Sequence, residues 1–142
     1  FAEPYVKDDA IRHLEAGRVV IFGCGTGSPY FSTDTAAVLR GKEIGADALL
    51  FAKNIDGIYT ADPKKDPNAR RLEHIGYERI LREQLKAIDL TAAAFGMEND
   101  LKILAFGLDD PKRIVRVVGR SPRNGDRQSV KTGNRLDSKP NI

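Results

Sequence analysis

Apolar residues along this chain fall into two patterns, continuous short runs and pairs spaced on one helical face. Asp8 to Gly17 sets Ile11 and Leu14 on one side and stops at Gly17, which predicts a helix. Arg18-Val-Val-Ile-Phe-Gly23 is a continuous apolar run ending in glycine, the pattern of a buried parallel strand. A turn-rich stretch, Cys24 to Thr33, leads into a predicted helix from Asp34 to Ile44, and Ala48 to Lys53 predicts a second strand. A polar loop follows from Asn54 to Arg70, with Asp-Gly and two Asp-Pro pairs. Leu72 to Ile75 suggests a short strand, while Tyr77 to Leu85 and Leu90 to Glu98 suggest helices. Lys102-Ile-Leu-Ala-Phe-Gly107 is a third strand of the buried type, and Asp110 to Val118 a last helix with Pro111 in its first turn.

Apolar strands separated by helices imply right-handed βαβ crossovers and a mostly parallel sheet covered on both faces. The expected fold class is therefore α/β, a three-layer αβα sandwich. In such sheets ligands bind beyond the carboxyl ends of the strands. Both of the distinctive loops, 24–33 and 54–70, lie at strand ends. There is no internal repeat and no sign of a second domain.

Composition changes this picture only at one end. The chain has 142 residues, 41% hydrophobic and 30% charged, ordinary for a globular domain. No apolar run approaches the roughly 20 residues that span a bilayer, and the start lacks the features of a secretory signal. The lone Cys24 excludes an internal disulfide and fits a reducing, cytoplasmic setting. Of 23 Lys/Arg and 20 Asp/Glu, six and two lie in residues 120–142, which leaves 17 and 18 in residues 1–119. The net charge of +3 thus belongs to the tail. Residues 120–142 hold few large apolar side chains and are expected to be disordered. Without an aromatic for stacking, that tail offers little to nucleic acid.

The loop Gly23-Cys-Gly-Thr-Gly-Ser-Pro-Tyr-Phe-Ser-Thr-Asp34 carries candidate chemistry. Its alternating glycines let the backbone approach a ligand, its hydroxyls donate, and the following helix points free N–H groups at the same place. It suits a phosphate, but on spacing alone a Gly-rich turn with Ser32 or Thr33 simply capping the helix is the more ordinary reading. It is neither a Walker A loop nor a GxGxxG fingerprint. Asp34 is either a helix N-terminal acid or an organiser of a reaction centre, and beside a phosphate it needs a lysine or a magnesium ion to balance it. Lys53-Asn-Ile-Asp-Gly-Ile-Tyr-Thr-Ala-Asp-Pro63 offers an aromatic ring and an amide suited to a purine, or a solvated loop with one packed tyrosine. Asp89 reads first as the N-cap of the helix at Leu90.

Together these segments resemble the bacterial uridylate (UMP) kinases of the amino-acid kinase family. The matching strings include Glu3-Pro-Tyr, Ala10 to Gly23, Gly25-Thr-Gly-Ser-Pro-Tyr-Phe-Ser-Thr-Asp-Thr-Ala-Ala37 and Glu43 to Asp47. They continue through Asn54 to Pro67 and Leu85-Lys-Ala-Ile-Asp-Leu-Thr-Ala92, in register from about residue 3 to residue 119. The resemblance implies a carboxyl-terminal, nucleotide-binding half of the fold (1–119), truncated at the N-terminal side, followed by a non-family tail (120–142). Phe1 in place of an initiator methionine agrees with a processed or partial chain.

By resemblance, Gly25, Thr26, Gly27, Ser28, Pro29, Tyr30, Phe31, Ser32 and Thr33 bind UMP. Lys53, Asn54, Tyr59 and Asp62 lie around ATP, and Asp34 and Asp89 stand at the reaction centre. ATP is the co-substrate, with Mg²⁺ carried on its phosphates and no metal site on the protein. The implied reaction moves the γ-phosphoryl group onto a UMP phosphate oxygen. The family's Lys-Leu-Ser-Gly segment and Gly-Gly turn are absent here, so this portion is expected to be inactive or weakly active alone. A homo-oligomer, hexamer-type in the family, is expected for a full-length chain, with neither nucleic acid nor membrane as partner. The alternatives are another amino-acid kinase, acting on aspartate or acetylglutamate, and a non-catalytic nucleotide-binding module.

Overall fold

The computed structural model of the chain describes residues 2–54, 57–86, 88–108, 111–118 and 129–132. The elements in order are α1 (Lys7–Glu15), α2 (Thr33–Glu43), β1 (Leu49–Lys53), β2 (Ile58–Tyr59) and β3 (Arg71–Leu72). They continue with β4 (His74–Gly76), α3 (Tyr77–Glu83), α4 (Leu90–Glu98), β5 (Ile103–Gly107), α5 (Lys112–Val118) and β6 (Ser129–Thr132).

The main sheet runs β1-β5-β6-β4, with β1, β5 and β6 parallel and β4 antiparallel at the edge. β2 and β3 form a separate antiparallel pair. The sheet is thus mostly parallel, and the α/β class follows. β5 is buried at every position, as its unbroken apolar run requires. Its two faces serve different layers. Ile103 and Ala105 join Val38 of α2, Tyr77 and Ile80 of α3 and Ala92 and Ala93 of α4 in the principal core. Leu104 and Phe106, on the opposite face, pack with Val117 of α5.

Close approach of α3 and α4 depends on one glycine. Tyr77 is buried, and its hydroxyl donates to the carbonyl of Leu101 at 2.8 Å. Burial raises its phenol above the ordinary tyrosine value. A Cβ at Gly96 would sit 2.9 Å from the Tyr77 ring, closer than carbon atoms tolerate.

Two expectations are corrected. Residues 18–23 form no strand: Val19 and Ile21 are 92% and 90% exposed. An apolar run becomes a parallel strand only when ladder partners and covering layers are supplied, and among the described residues β1 is paired on its β5 edge alone. The second correction concerns residues 120–142, expected to lack order throughout. Within them, Ser129–Thr132 lie as β6 between β5 and β4. The segment's low apolar content concealed this, because a strand paired on both edges is held by its backbone, and Val130 and Thr132 are β-branched. The rest of the tail, with Asp110 of the expected last helix, lies outside the described residues. A smaller difference is the 54–70 loop, which contains β2. Thr60 N–H donates to the Arg70 carbonyl at 2.9 Å and closes the pairing with β3.

Gly96→Ala is expected to destabilise the chain by about 1–3 kcal/mol through overpacking against Tyr77. Helix propensity alone argues for the opposite sign, a gain of up to about 1 kcal/mol. Urea denaturation decides between them, and a neutral or stabilised variant would contradict the packing described.

Candidate active site

The site forms where the amino ends of α2 and α4 meet the carboxyl end of β1. Ser32 is extended, with ψ of 168°, and caps α2. Its hydroxyl oxygen accepts from Asp34 N–H at 3.0 Å and Thr35 N–H at 3.3 Å. Asp89 does the same for α4, accepting from Ala92 N–H at 2.8 Å. The capping reading of both residues is met, and the caps are joined. Ser32 donates its hydroxyl hydrogen to Asp89, and Thr35 donates to the Asp89 carboxylate at 3.1–3.2 Å.

Asp34 opens the first turn of α2 and points to β1. Lys53 Nζ lies 2.8 and 2.6 Å from its two carboxylate oxygens. The counter-charge that Asp34 requires beside an anion site is therefore the residue ending β1. The backbone N–H of Asp89 also donates to Asp34, at 3.4 Å. Asp34, Lys53, Lys86, Ile88 and Asp89 line an open cleft of about 250 Å³.

The electrostatics of Asp89 follow from its partners. Burial works against its charged form, but hydrogen bonds from Ser32, the Ala92 backbone and Thr35 outweigh that and hold the carboxyl below the usual range. Asp89 therefore stays ionised, and its lone pairs are committed to the two helix starts.

The glycine loop sits on the exposed approach to α2. Gly25 and Gly27 take positive φ of 59° and 74°, as do Cys24 at 64° and Tyr30 at 73°, unusual for residues with a side chain. Thr26 organises the turn: its hydroxyl donates to the Ser28 carbonyl at 3.2 Å and accepts from Ser28 N–H at 3.1 Å. Ser28, Pro29, Tyr30, Phe31 and Thr33 are exposed.

The sequence-derived residues divide accordingly. Ser32, Asp34, Lys53 and Asp89 come together, with Lys53 paired to the Asp34 carboxylate. Asn54 follows Lys53 and is exposed. Tyr59 lies in β2, and Asp62 shapes the next turn by accepting from Lys64 N–H at 3.0 Å. Neither lines the cleft. Sequence reasoning missed Thr35 and Lys86. Thr35 is only 4% exposed, a polar side chain inside an otherwise apolar helix face. Its position three residues after a capping serine was the available signal. Lys86 carried none. Among the described residues, no group of three His, Cys, Asp or Glu side chains could hold a metal ion.

A model of the amino acid kinase family matches residues 2–106. Among solved structures, UMP kinase from Bacillus anthracis superposes with a TM-score of 0.80 at 31% identity, covering 95% of this chain and 55% of that one. UMP kinase from Ureaplasma parvum gives 0.77 at 37% identity, covering 89% and 53%. Uridylate kinase from Archaeoglobus fulgidus gives 0.68 at 28% identity, covering 89% and 58%. This chain thus spans little more than half the length of these relatives.

Because the folded-state pKa of Asp89 is depressed, the stability its charge contributes is complete above the unfolded carboxyl value, about 3.9. It is lost as pH falls through the lower folded value. Asp89→Asn is therefore expected to cost about 1–3 kcal/mol near neutral pH, with the gap to the unaltered chain closing in acid. Thr35→Val should cost about 1–2 kcal/mol and Thr35→Ser much less. Denaturant melts from pH 7 to pH 3 test this; a gap independent of pH would contradict the ionised, hydrogen-bonded Asp89.

Proposed function

The chain belongs to the amino acid kinase family, and we propose that its site serves transfer of the ATP γ-phosphoryl group to UMP. The observation that carries this reading is the grouping of Lys53, Asp34 and Asp89 at two converging helix amino ends. The relatives described as UMP kinases, up to 37% identical, support uridylate as the acceptor.

The chemistry fits the groups present. A UMP phosphate oxygen is already an anion, so transfer needs little base catalysis. It needs the two reactants aligned and their crowded charge neutralised. The N–H groups at the start of α2 and the hydroxyls and amides of Thr26 to Thr33 would hold the UMP phosphate and base. Lys53 would exchange part of its pairing with Asp34 for the transferred phosphoryl group. Asp34 and Asp89 would then orient cationic partners and not act as bases. A magnesium ion would ride on the nucleotide phosphates and there offset their negative charge. Asp34 and Asp89 line the cleft.

Asn54, Tyr59 and Asp62 form the adenine and ribose side in this reading. In the present structure Asp62 accepts from Lys64 N–H in its own turn. No helix among the described residues is long and apolar enough to cross a membrane, and a cytoplasmic setting is part of the proposal. Activity and oligomer belong to the whole kinase. This span of it is proposed to supply the UMP loop and the Lys53 centre, with little turnover alone.

Calorimetry with UMP and ATP tests the reading. Lys53→Met is expected to weaken nucleotide affinity about 10–100-fold, the worth of a charge-assisted hydrogen bond. Lys42→Met, on an exposed residue near the other end of α2, should change it little. Equal effects of both variants, or preference for aspartate or acetylglutamate over UMP, would refute the assignment.

A further inference from the structure

Asp34, Asp89, Lys53 and Lys86 line one cleft, yet these four charges do not make two pairs. Lys53 Nζ is taken up by Asp34, at 2.8 and 2.6 Å from its two oxygens. Asp89 is committed to Ser32, Thr35 and the Ala92 N–H. Lys86 is exposed, and among the described residues it has no hydrogen-bond or ion-pair partner. Its charge lies at the cleft without a use there.

Lys86 nevertheless has a fixed place. α3 ends at Gln84, which takes a positive φ of 49°. Leu85 N–H then donates to the Ile80 carbonyl at 3.1 Å, and the Leu85 side chain is buried. On the other side Ile88 is buried in the same core, and Asp89 caps α4. Two buried anchors thus hold the turn that carries Lys86, while the side chain itself stays in solvent at the cleft wall. A compact ammonium on a flexible stem suits a phosphate oxygen arriving from solvent.

The wall from which Lys86 enters decides which phosphate it meets. The glycine loop leads into the start of α2, and none of residues 25–33 lines this cleft. Lys86 comes instead from the turn between α3 and α4. With the acceptor's phosphate held at the loop, Lys86 is left facing the donor. We propose that Lys86 binds the β-phosphate of the donor nucleotide, outside the transferred group that Lys53 meets; this rests on the phosphoryl-transfer reading above. As the acceptor oxygen bonds to the γ-phosphorus, the bond from that phosphorus to the β–γ bridging oxygen breaks. Its electron pair stays on the departing diphosphate. Negative charge grows on the β-phosphate oxygens, where the Lys86 ammonium offsets it.

Calorimetry on the full 142-residue chain with ATP, AMP and UMP is the test. Lys86→Met should weaken ATP about tenfold, the lower end for a charge-assisted hydrogen bond, because the position is exposed. AMP, which lacks a β-phosphate, and UMP should change by less than about twofold, the screened remainder of a lost surface charge. Lys86→Arg keeps the positive charge and should recover most of the ATP affinity. Unchanged ATP affinity in Lys86→Met would overturn the assignment. So would equal losses for ATP and AMP, the mark of a general field or a damaged fold, and so would an unaltered chain that binds ATP no more tightly than AMP. Unchanged ATP affinity in Lys86→Met leaves the transfer reading standing where Lys53→Met still weakens nucleotide binding. That reading fails separately, on preference for aspartate or acetylglutamate over UMP, and the comparison of ATP with AMP at Lys86 does not depend on it.

Discussion

The carboxylate of Asp89 holds together two helix beginnings that are more than fifty residues apart in sequence. It caps α4 through Ala92 N–H and receives the hydroxyls of Ser32 and Thr35 from the start of α2. Each helix amino end carries unpaired N–H groups and a partial positive charge. Two such ends side by side repel unless an anion lies between them, and Asp89 is that anion. Its position fixes the spacing of α2 and α4. The same spacing places Asp34 within reach of Lys53 at the end of β1, so the order of the site follows from one capping interaction made twice.

In the proposed reading, that arrangement would let a small cleft take phosphates without deep burial. Asp34 and Lys53 are 21% and 26% exposed, so their pairing is partly screened and can be exchanged for a ligand's charge. Asp89 is committed to the scaffold, whereas Lys53 is held by a single carboxylate partner and a distant contact with the Phe51 ring. In that reading the fixed anion would shape the site, and the exchangeable cation would serve the chemistry. In a phosphoryl transfer that depends on positioning and charge neutralisation, this is the useful division.

How much of this could be read from the sequence depends on whether the signal was local. α2, β1, α4 and β5 were legible because periodicity, caps and unbroken apolar runs are written within each segment. Ser32 and Asp89 were legible as caps for the same reason. The pairing of Asp34 with Lys53 was half legible. A lone acid beside an anion loop demands a counter-charge, but sequence alone could not say which lysine would supply it. Thr35 was hidden because one hydroxyl in a helix looks incidental until the carboxylate it faces is known. Residues 18–23 failed differently, since the pattern is a strand's but no described element pairs with it. β6 failed in the opposite sense, a polar segment ordered by backbone pairing on both sides. The assigned roles of Tyr59 and Asp62 came from resemblance, and the geometry of the cleft neither includes them nor replaces them.

Among the described residues the chain combines a centre of joined helix caps with a sheet whose β1 edge has no ladder partner beyond β5. The helix starts, the lysine and the glycine loop are built from within residues 24–92, while the β1 edge is open. The most direct measurement of the central claim follows backbone amide and Lys53 side-chain resonances as UMP is added to the chain. The account expects saturable shifts in residues 25–34 and at Lys53, absent with uridine, which lacks the phosphate. Identical responses to UMP and uridine, or shifts confined to residues outside the loop and Lys53, would contradict it.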